Sequence, residues 1–574
     1  MNAPVYTIEN ECQDCYKCVR HCPVKAIRIV NGKASVIPEA CVACGACVKV
    51  CPAHAKKIRS DLARLKELLA SGAKVYASVA PSYAGWFKGV TIGQLAAALE
   101  KLGFAGVSET AHGAESVSAH VARLLADTDE PLVISSACPA AVDMIRRYLP
   151  DYARYISPLP SPVRAHCGLL REKYGPDVKV VFFGPCAAKK NEADACPDVL
   201  ALACVFPALE QLLVEKGIEF GEEAELALGP AEEGRFYSVE GGMNDTLRDG
   251  GSDVRYVSVS GLDNLRRMLN GGFRPSGGRK LFLEVLACPG GCVNGPAMPV
   301  DGGSLATLFA TDAASPLQTS ASRCFTHCGT ASYPAEAIVE TEPEEEKLTE
   351  ALARVGKTTR ADELNCGACG YETCREFAKA LLAGKAEEAQ CHTFLKKNFQ
   401  RTSNALIKYI PAGVVILDGH GVVVECNRLF AEMCGETGVF DALGNLEGID
   451  GSTLMKEFME LFTGALEHGS EIVKYRQPWR DRIVNVSVFP IAKGEFAGAV
   501  VQDVTQNEGL REEIAAKARE VIRKNVYTVQ QVARLFGEHI AETEIMLNEI
   551  AGAYESHTEG KRLREEDDGS YLNG

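Results

Sequence analysis

Blocks of apolar residues alternate with helical stretches through the middle of the chain. VYASVA, PLVISS, VKVVFF and LFLEVL are short continuous apolar runs, the pattern of strands buried on both faces. Between them lie stretches such as TIGQLAAALEKLG, whose apolar positions recur at helical spacing. Over residues 62–310 this alternation predicts an α/β domain. Further on, GVVIL, GVVVE, a short helix, IVNVSVF and AGAVVQD over residues 404–506 predict a small α+β domain with paired antiparallel strands. From about residue 508 to 555 the apolar positions Ile514, Ala518, Val521, Val529, Val532, Phe536, Ile540, Leu547 and Ile550 trace a long amphipathic helix or helix pair. The acidic stretch EAIVETEPEEEK reads as a solvated linker, and the final EGKRLREEDDGSYLNG as a disordered tail.

A chain of 574 residues is too long for one core, so several domains are expected. Its residues are 46% hydrophobic and 24% charged, as in a soluble globular protein. The net charge of −15 argues against a nucleic-acid binder, which would need a basic face to displace counterions. No apolar run is long enough to cross a bilayer and MNAPVYTIENEC lacks a signal-peptide pattern, so a cytoplasmic protein is expected.

Cysteine changes the picture most. Twenty-three cysteines, mostly bunched at short spacings, point to metal rather than disulfides in a reducing compartment. Cys12, Cys15, Cys18 and Cys22 precede Pro23; Cys41, Cys44, Cys47 and Cys51 precede Pro52. Three cysteines at steps of three share a tight loop, and the fourth points away to close the other cluster. One 4Fe–4S cluster is therefore expected on Cys12, Cys15, Cys18 and Cys51, and another on Cys41, Cys44, Cys47 and Cys22. Two zinc sites would not need eight cysteines in this doubled pattern. The segment resembles a bacterial 2(4Fe–4S) ferredoxin. His21 and His54 read as exposed loop residues.

In the central region four cysteines without a CxxC partner follow strands. Cys138 follows PLVISS, Cys186 follows VKVVFF, and Cys288 and Cys292 follow LFLEVL. Ligand sites of open α/β sheets form beyond the carboxyl ends of strands, so three strand ends could deliver four thiolates to one cofactor. Buried structural cysteine is the alternative. ISSACPAAV, FGPCAAKKNE and LEVLACPGGCVNGP resemble the three cysteine motifs of FeFe hydrogenases, and VAPSYAGWF and KLGFAGVSETAHGAE resemble the same catalytic domain. The resemblance covers roughly residues 74–300.

That resemblance implies an H-cluster, a 4Fe–4S cubane bridged to a diiron unit with CO, cyanide and a dithiolate. Cys138, Cys186, Cys288 and Cys292 would hold the cubane, Cys292 as the bridging thiolate. Lys189 would donate to an iron-bound cyanide, with Pro81 and Ser82 lining the opposite side. The chain also departs from the family. Ala137 stands where a proton-shuttling cysteine is usual, and SVSAHVARLL lacks the relay glutamates, leaving His120 as a stand-in or a plain helix residue. Leu286 replaces a methionine, and the glycine-rich continuation after Gly295 is missing. Losing general acid–base help typically costs roughly 100- to 10,000-fold, so low turnover is expected.

Cys366, Cys369, Cys374 and Cys391 surround one predicted helix in LNCGACGYETCREFAKALLAGKAEEAQC. Four cysteines suit structural zinc as well as iron; the segment resembles the small 4Fe–4S (Fes) module of sensory hydrogenases, which favours iron. Residues 404–506 resemble a PAS domain, and KAREVIRKNVYTVQQVARLFGEHIAETE resembles a signalling or dimerising helix. Cys324 and Cys328, with His327 between them, are left unassigned, as are Cys167, Cys196, Cys204, Cys426 and Cys434.

The predicted organisation is a multidomain α/β and α+β chain. It comprises a ferredoxin domain (1–60), an H-cluster domain (61–325), an acidic linker (326–352), a Fes module (353–400), a PAS domain (401–506) and a helix with tail (507–574). This order resembles a sensory FeFe hydrogenase of the HsfB type. It implies three 4Fe–4S clusters plus an H-cluster, H2 and protons as substrates, and binding or slow, reversible oxidation of H2 read out as a hydrogen or redox signal. The implied partners are a ferredoxin, a kinase or phosphatase, and a second copy of the chain through the PAS and helix region. The alternatives are a ferredoxin-linked catalytic hydrogenase with a regulatory PAS domain, and an electron carrier that never receives a diiron unit.

Overall fold

The computed structural model describes residues 3–247, 253–271, 279–299, 328–339, 341–505 and 520–525. The chain divides into two compact units, Met1–His392 and Thr393–Gly574.

The first unit begins with a small module whose two halves repeat. β1 (Val5–Thr7) pairs with β4 (Lys56–Ile58), and β2 (Ile27–Val30) pairs with β3 (Lys33–Val36), both antiparallel. The β2–β3 turn is Asn31–Gly32, both at positive φ (51° and 68°), as a tight hairpin turn matched to strand twist requires. The repeat extends to backbone conformation. Asp14, Tyr16 and Lys25 sit at φ 54°, 54° and 49°, and the residues 29 positions on, Ala43, Gly45 and His54, at 52°, 73° and 51°. Asp14 and Tyr16, like Ala43 and Gly45, curl each cysteine loop before its short helix, Lys17–Arg20 or Ala46–Val50, while Lys25 and His54 turn the chain after it.

The α/β region holds two parallel sheets. β5 (Val75–Val79), β6 (Gly106–Glu109), β8 (Lys179–Gly184) and β9 (Leu202–Val205) form one in the order β6-β5-β8-β9. β7 (Leu132–Ile134), β10 (Val254–Ser260) and β11 (Lys280–Leu286) form the other in the order β10-β11-β7. Every residue of β5 and β7 is buried, which is why these strands are continuous apolar runs. The cysteine-bearing strand ends thus belong to two sheets rather than to one open sheet: Cys186 follows β8, while Cys138 and Cys288 follow β7 and β11.

The acidic stretch is not a free linker throughout. Glu336 and Ile338 donate backbone hydrogen bonds to the carbonyls of Arg146 and Arg147, so residues 336–338 lie along the helix Pro139–Tyr148. Glu345–Arg354 is a helix, and its Leu348, Ala351 and Leu352 pack on Cys374 and Ala378 of the helix Cys374–Leu382. Spacing of i, i+3, i+4 puts those three on one face.

The second unit contains the helix after His392 and a five-stranded antiparallel sheet. β12 (Gly413–Asp418), β13 (Val423–Cys426), β14 (Ile472–Trp479), β15 (Arg482–Ala492) and β16 (Phe496–Asp503) lie in the order β13-β12-β16-β15-β14. Four helices rather than one separate β13 from β14: Arg428–Cys434, Thr437–Leu443, Gly451–Met455 and Met459–His468. Phe430, Phe458, Phe462 and Trp479 build their core against β12, β15 and β16. Of the amphipathic helix predicted at 508–555, only residues 520–525 fall within the described residues, where they are helical.

Candidate metal centre

Cys138, Cys186, Cys288 and Cys292 line one cavity, together with Cys44, Pro185 and Leu286. Each is delivered by a local device. Cys138 is the N-cap of the helix Pro139–Tyr148, whose first-turn proline ends β7's connection. Cys186 sits between β8 and the helix Ala188–Ala195. Cys288 and Cys292 flank a turn through Gly290 and Gly291. Gly291 has φ 103°, and a Cβ there would lie 2.6 Å from the Ser238 carbonyl oxygen, so only glycine lets this turn seat.

The four thiols carry no disulfide. Removal from water raises the pKa of Cys186 to about 11 and also raises those of Cys288 and Cys292; the neighbouring thiols push in the same direction. Four soft donors crowded in one cavity hold their anionic form only against a compensating cation, and iron in a cluster is one. Among the described residues no three His, Cys, Asp or Glu close tightly enough for a single metal ion. Four thiols lining one cavity suit a polynuclear group.

Lys189 is buried and pairs with Glu192 Oε2 at 2.7 Å, while Ser161 donates to Glu192 Oε1 at 2.5 Å. Its positive charge favours the thiolate forms of both Cys186 and Cys292. Pro81 and Ser82 follow β5, and Ser82 is fully buried with a hydroxyl that finds no hydrogen-bond partner among the described residues. An orphaned donor of this kind is costly unless a bound group accepts from it.

A second cavity is lined by Cys22, Cys41, Cys44 and Cys47. Cys22, from the first motif, thus joins three cysteines of the second. Reciprocally, Cys12, Cys15 and Cys51 are the thiols whose charge acts on Cys18. Cys44 lines both cavities. In the third set, Cys366, Cys374 and Cys391 act on Cys369, whose pKa burial raises to about 11. Asn365, at φ 48°, accepts from the Cys374 amide at 2.8 Å and so fixes this loop to its helix.

Other sequence candidates separate from these groups. His120 Nδ1 is 2.8 Å from the Ser116 carbonyl oxygen one turn back on its own helix, the plain helix-residue role. Ala137 precedes Cys138 and donates its amide to Ser135 Oγ at 3.2 Å. Cys167, Cys204, Cys426 and Cys434 are core residues, and Cys196 is half-buried at a helix end. Cys328 is buried in an apolar cluster with Tyr237 and Phe282; Cys324 and His327 lie outside the described residues.

Sequence reasoning missed Glu284. It is 2% exposed on β11, accepts from Ser258 Oγ at 2.8 Å and from the Met243 amide at 3.3 Å, and burial raises its pKa to about 7. Its charge also acts on Cys292. The visible signal was one glutamate inside the otherwise apolar run LFLEVL.

Known proteins share sequence with most of the first unit. Residues 73–249 and 235–296 match the family model of the iron-only hydrogenase large subunit, C-terminal domain. Residues 4–52 match a 4Fe–4S dicluster domain, and residues 362–392 an Fe–S cluster family. The periplasmic Fe hydrogenase large subunit of Nitratidesulfovibrio vulgaris is 30% identical over 372 residues, covering 53% of this chain and 88% of that one. The NADP-reducing hydrogenase subunit HndD of Solidesulfovibrio fructosivorans is 27% identical over 298 residues, covering 40% of this chain and 50% of its own. A solved variant of the FeFe hydrogenase HydA1 from Chlamydomonas reinhardtii is 19% identical, with 49% of this chain and 100% of that chain covered at a TM-score of 0.38. No described helix is long and apolar enough to cross a membrane. With an N-terminal dicluster module, an iron-only hydrogenase domain and a further Fe–S segment in one polypeptide, the chain belongs to the FeFe hydrogenase family.

Proposed function

We propose that this protein is a hydrogen or redox sensor built on a hydrogenase site, with slow, reversible H2 chemistry. Cys138, Cys186, Cys288 and Cys292 would hold the cubane of an H-cluster, and Cys292 would be the thiolate that serves the diiron unit as well. When bound, that unit supplies the metal at which H2 is split or formed. Lys189, held by Glu192, offers a fixed ammonium beside Cys186 and Cys292, suited to a charge-assisted hydrogen bond to an anionic ligand. Ser82 offers its unpaired hydroxyl from the loop after β5. The three remaining thiol sets hold 4Fe–4S clusters that carry electrons to and from the cavity through the one lined by Cys22, Cys41, Cys44 and Cys47.

The observation that carries the sensory reading is Ala137. The residue next to the first cavity thiol has no titratable group, so proton delivery there is slow while H2 binding is untouched. Support for an output comes from the second unit, whose antiparallel sheet and intervening helices have the make-up of a PAS domain. Cys391 is followed directly by the helix His392–Tyr409. Asn427 ties that helix to the sheet: its side chain donates to the carbonyls of Ile407 and Ala412 and accepts from the amides of Val414 and Phe430. Reduction of a cluster on Cys391 adds negative charge at that helix's N-terminus, where it is favoured. A kinase or phosphatase, and a second copy of this chain, are the partners this reading calls for.

Infrared spectra of protein matured with its diiron unit test it. H2-dependent shifts of the CO and cyanide bands are expected; bands that ignore H2 would remove the sensory reading. A second reading, a catalytic hydrogenase exchanging electrons with ferredoxin, is favoured by the hydrogenase relatives. Turnover within about tenfold of ordinary hydrogenases, leaving only ~1.4 kcal/mol of barrier for the absent relay, would select it. Complete absence of CO and cyanide bands after maturation would leave a multi-cluster electron carrier.

A further inference from the structure

The segment carrying Cys366, Cys369, Cys374 and Cys391 is clamped onto the N-terminal module at one place. The Ile29 amide on the outer side of β2 donates to the Lys385 carbonyl at 3.0 Å. At the hairpin tip, both oxygens of Glu387 accept from the Asn31 and Gly32 amides, at 2.5 and 3.1 Å. The Arg20 guanidinium then spans two cysteine loops, donating to the Cys15 carbonyl at 3.0 Å and to the Ala368 carbonyl at 3.1 Å. Lys25 Nζ donates to Gly370 O at 2.8 Å, Val19 O at 3.2 Å and Arg20 O at 3.3 Å, 6.0 Å from the centre of the Tyr371 ring.

Contact is closest at Gly370. With φ 98°, it lies against Val19 so tightly that a Cβ would sit 2.7 Å from Val19 Cγ1. Gly370 is the chain neighbour of Cys369, and Val19 of Cys18. The two thiol sets therefore meet through adjacent residues, with two cations between them and no intervening element.

We infer that this contact is an electron junction between the Cys12, Cys15, Cys18, Cys51 set and the Cys366, Cys369, Cys374, Cys391 set, and that Arg20 is its positioning residue. The inference rests on the reading that both sets hold 4Fe–4S clusters. One electron leaves the cluster of one set, which is oxidised by one, and arrives on the other, which is reduced by one; no bond or proton moves. Tunnelling rates fall steeply with separation, and van der Waals contact between residues next to the ligands keeps the separation short. The Arg20 and Lys25 cations stabilise added negative charge on either side. Electrons from the central cavity then reach the last set by way of the N-terminal module, and that set ends the line at the root of the helix His392–Tyr409.

The test uses the full chain reconstituted with iron and sulfide, without the diiron unit. Paramagnetic resonance of the fully reduced protein should show magnetic splitting between the two sets. Gly370→Val should abolish that splitting while iron and sulfide contents stay unchanged. Arg20→Gln should shift both sets to more negative potentials and leave the Cys22, Cys41, Cys44, Cys47 set where it was; this variant decides the matter if the valine costs the cluster. An unsplit signal from fully reduced wild type, or a shift of neither set or only one in Arg20→Gln, overturns the junction. Zinc in place of iron at Cys366–Cys391 overturns it too, with the hydrogenase cavity unaffected. A split signal in a protein whose infrared bands ignore H2 leaves the junction standing and removes the sensory function alone.

Discussion

Lys189 and Glu192 close a 2.7 Å ion pair one helical turn apart, and both side chains are about nine-tenths buried. Removing one partner of such a pair leaves the other charge stranded, a cost of about 3–5 kcal/mol. Lys189→Met should therefore unfold at lower denaturant than wild type, and Lys189→Met with Glu192→Gln should recover most of the loss. Both variants should keep their iron, yet both should lose at least tenfold of the H2-dependent infrared change. Full response in either would deny Lys189 its role at the cavity.

Cys138 and Cys167 are 29 residues apart and both buried, but only Cys138 lines the cavity. Cys138→Ser should lower the iron content of reconstituted protein by about four atoms, the content of one 4Fe–4S cluster. Cys167→Ser, a change within the core around Val163 and Leu170, should leave it unchanged. Iron analysis and the charge-transfer absorbance of the clusters report the difference.

His166 is fully buried between Ser78 and Ser108, with Nδ1 2.8 Å and Nε2 2.9 Å from their hydroxyls. Burial first, and neighbouring His112 second, hold its pKa well below the usual 6.5. The unfolded chain therefore takes up a proton that the folded chain refuses. The stabilising contribution is complete above about pH 6.5 and is lost as pH falls, by about 1.4 kcal/mol per pH unit. Urea titrations from neutral pH downwards should show this slope, and His166→Asn should reduce it by one proton.

Asn427 satisfies four backbone groups around the start of the antiparallel sheet and is 3% exposed. Alanine there strands two amides and two carbonyls, at about 1–3 kcal/mol for each one left without water. Hydrogen exchange at the Val414 and Phe430 amides should accelerate at least tenfold. Exchange unchanged from wild type would show that water replaces the side chain.

Trp479 is 1% exposed, with its ring 6.3 Å from that of Phe430 and 5.7 Å from that of Phe458, and its Nε1 has no partner among the described residues. Trp479→Ala should cost about 3–5 kcal/mol through the void it leaves. Trp479→Phe loses volume but also removes an unsatisfied donor, so it should cost clearly less. Thermal unfolding followed in the two variants separates the two effects.

The shape of the cysteine loops was legible because cysteine spacing dictates it. Steps of three curl Cys12–Cys18 and Cys41–Cys47 into loops, and the exchange of Cys22 into the second set follows from its position after the short helix Lys17–Arg20. The strands of the α/β region were legible because burial on both faces leaves them uniformly apolar. Their division into two sheets was not, since pairing partners are chosen by tertiary packing rather than by local pattern. Glutamates hid the helix Glu345–Arg354: Glu345, Glu346 and Glu350 mask Leu348, Ala351 and Leu352 in composition, though not in packing. Nothing local marks Glu387 as the cap of a hairpin more than 350 residues earlier.

That cap has a consequence for how the polypeptide can be divided. The loop at Lys385–Glu387 occupies the outer side of β2, so this short ribbon has no open flank there. A truncated N-terminal piece ending before residue 345 would bare those amides, together with the apolar ledge at Val19, and so offer a sticky strand to its neighbours. Such a fragment should pair with itself and precipitate, whereas one carried through Cys391 should remain dispersed.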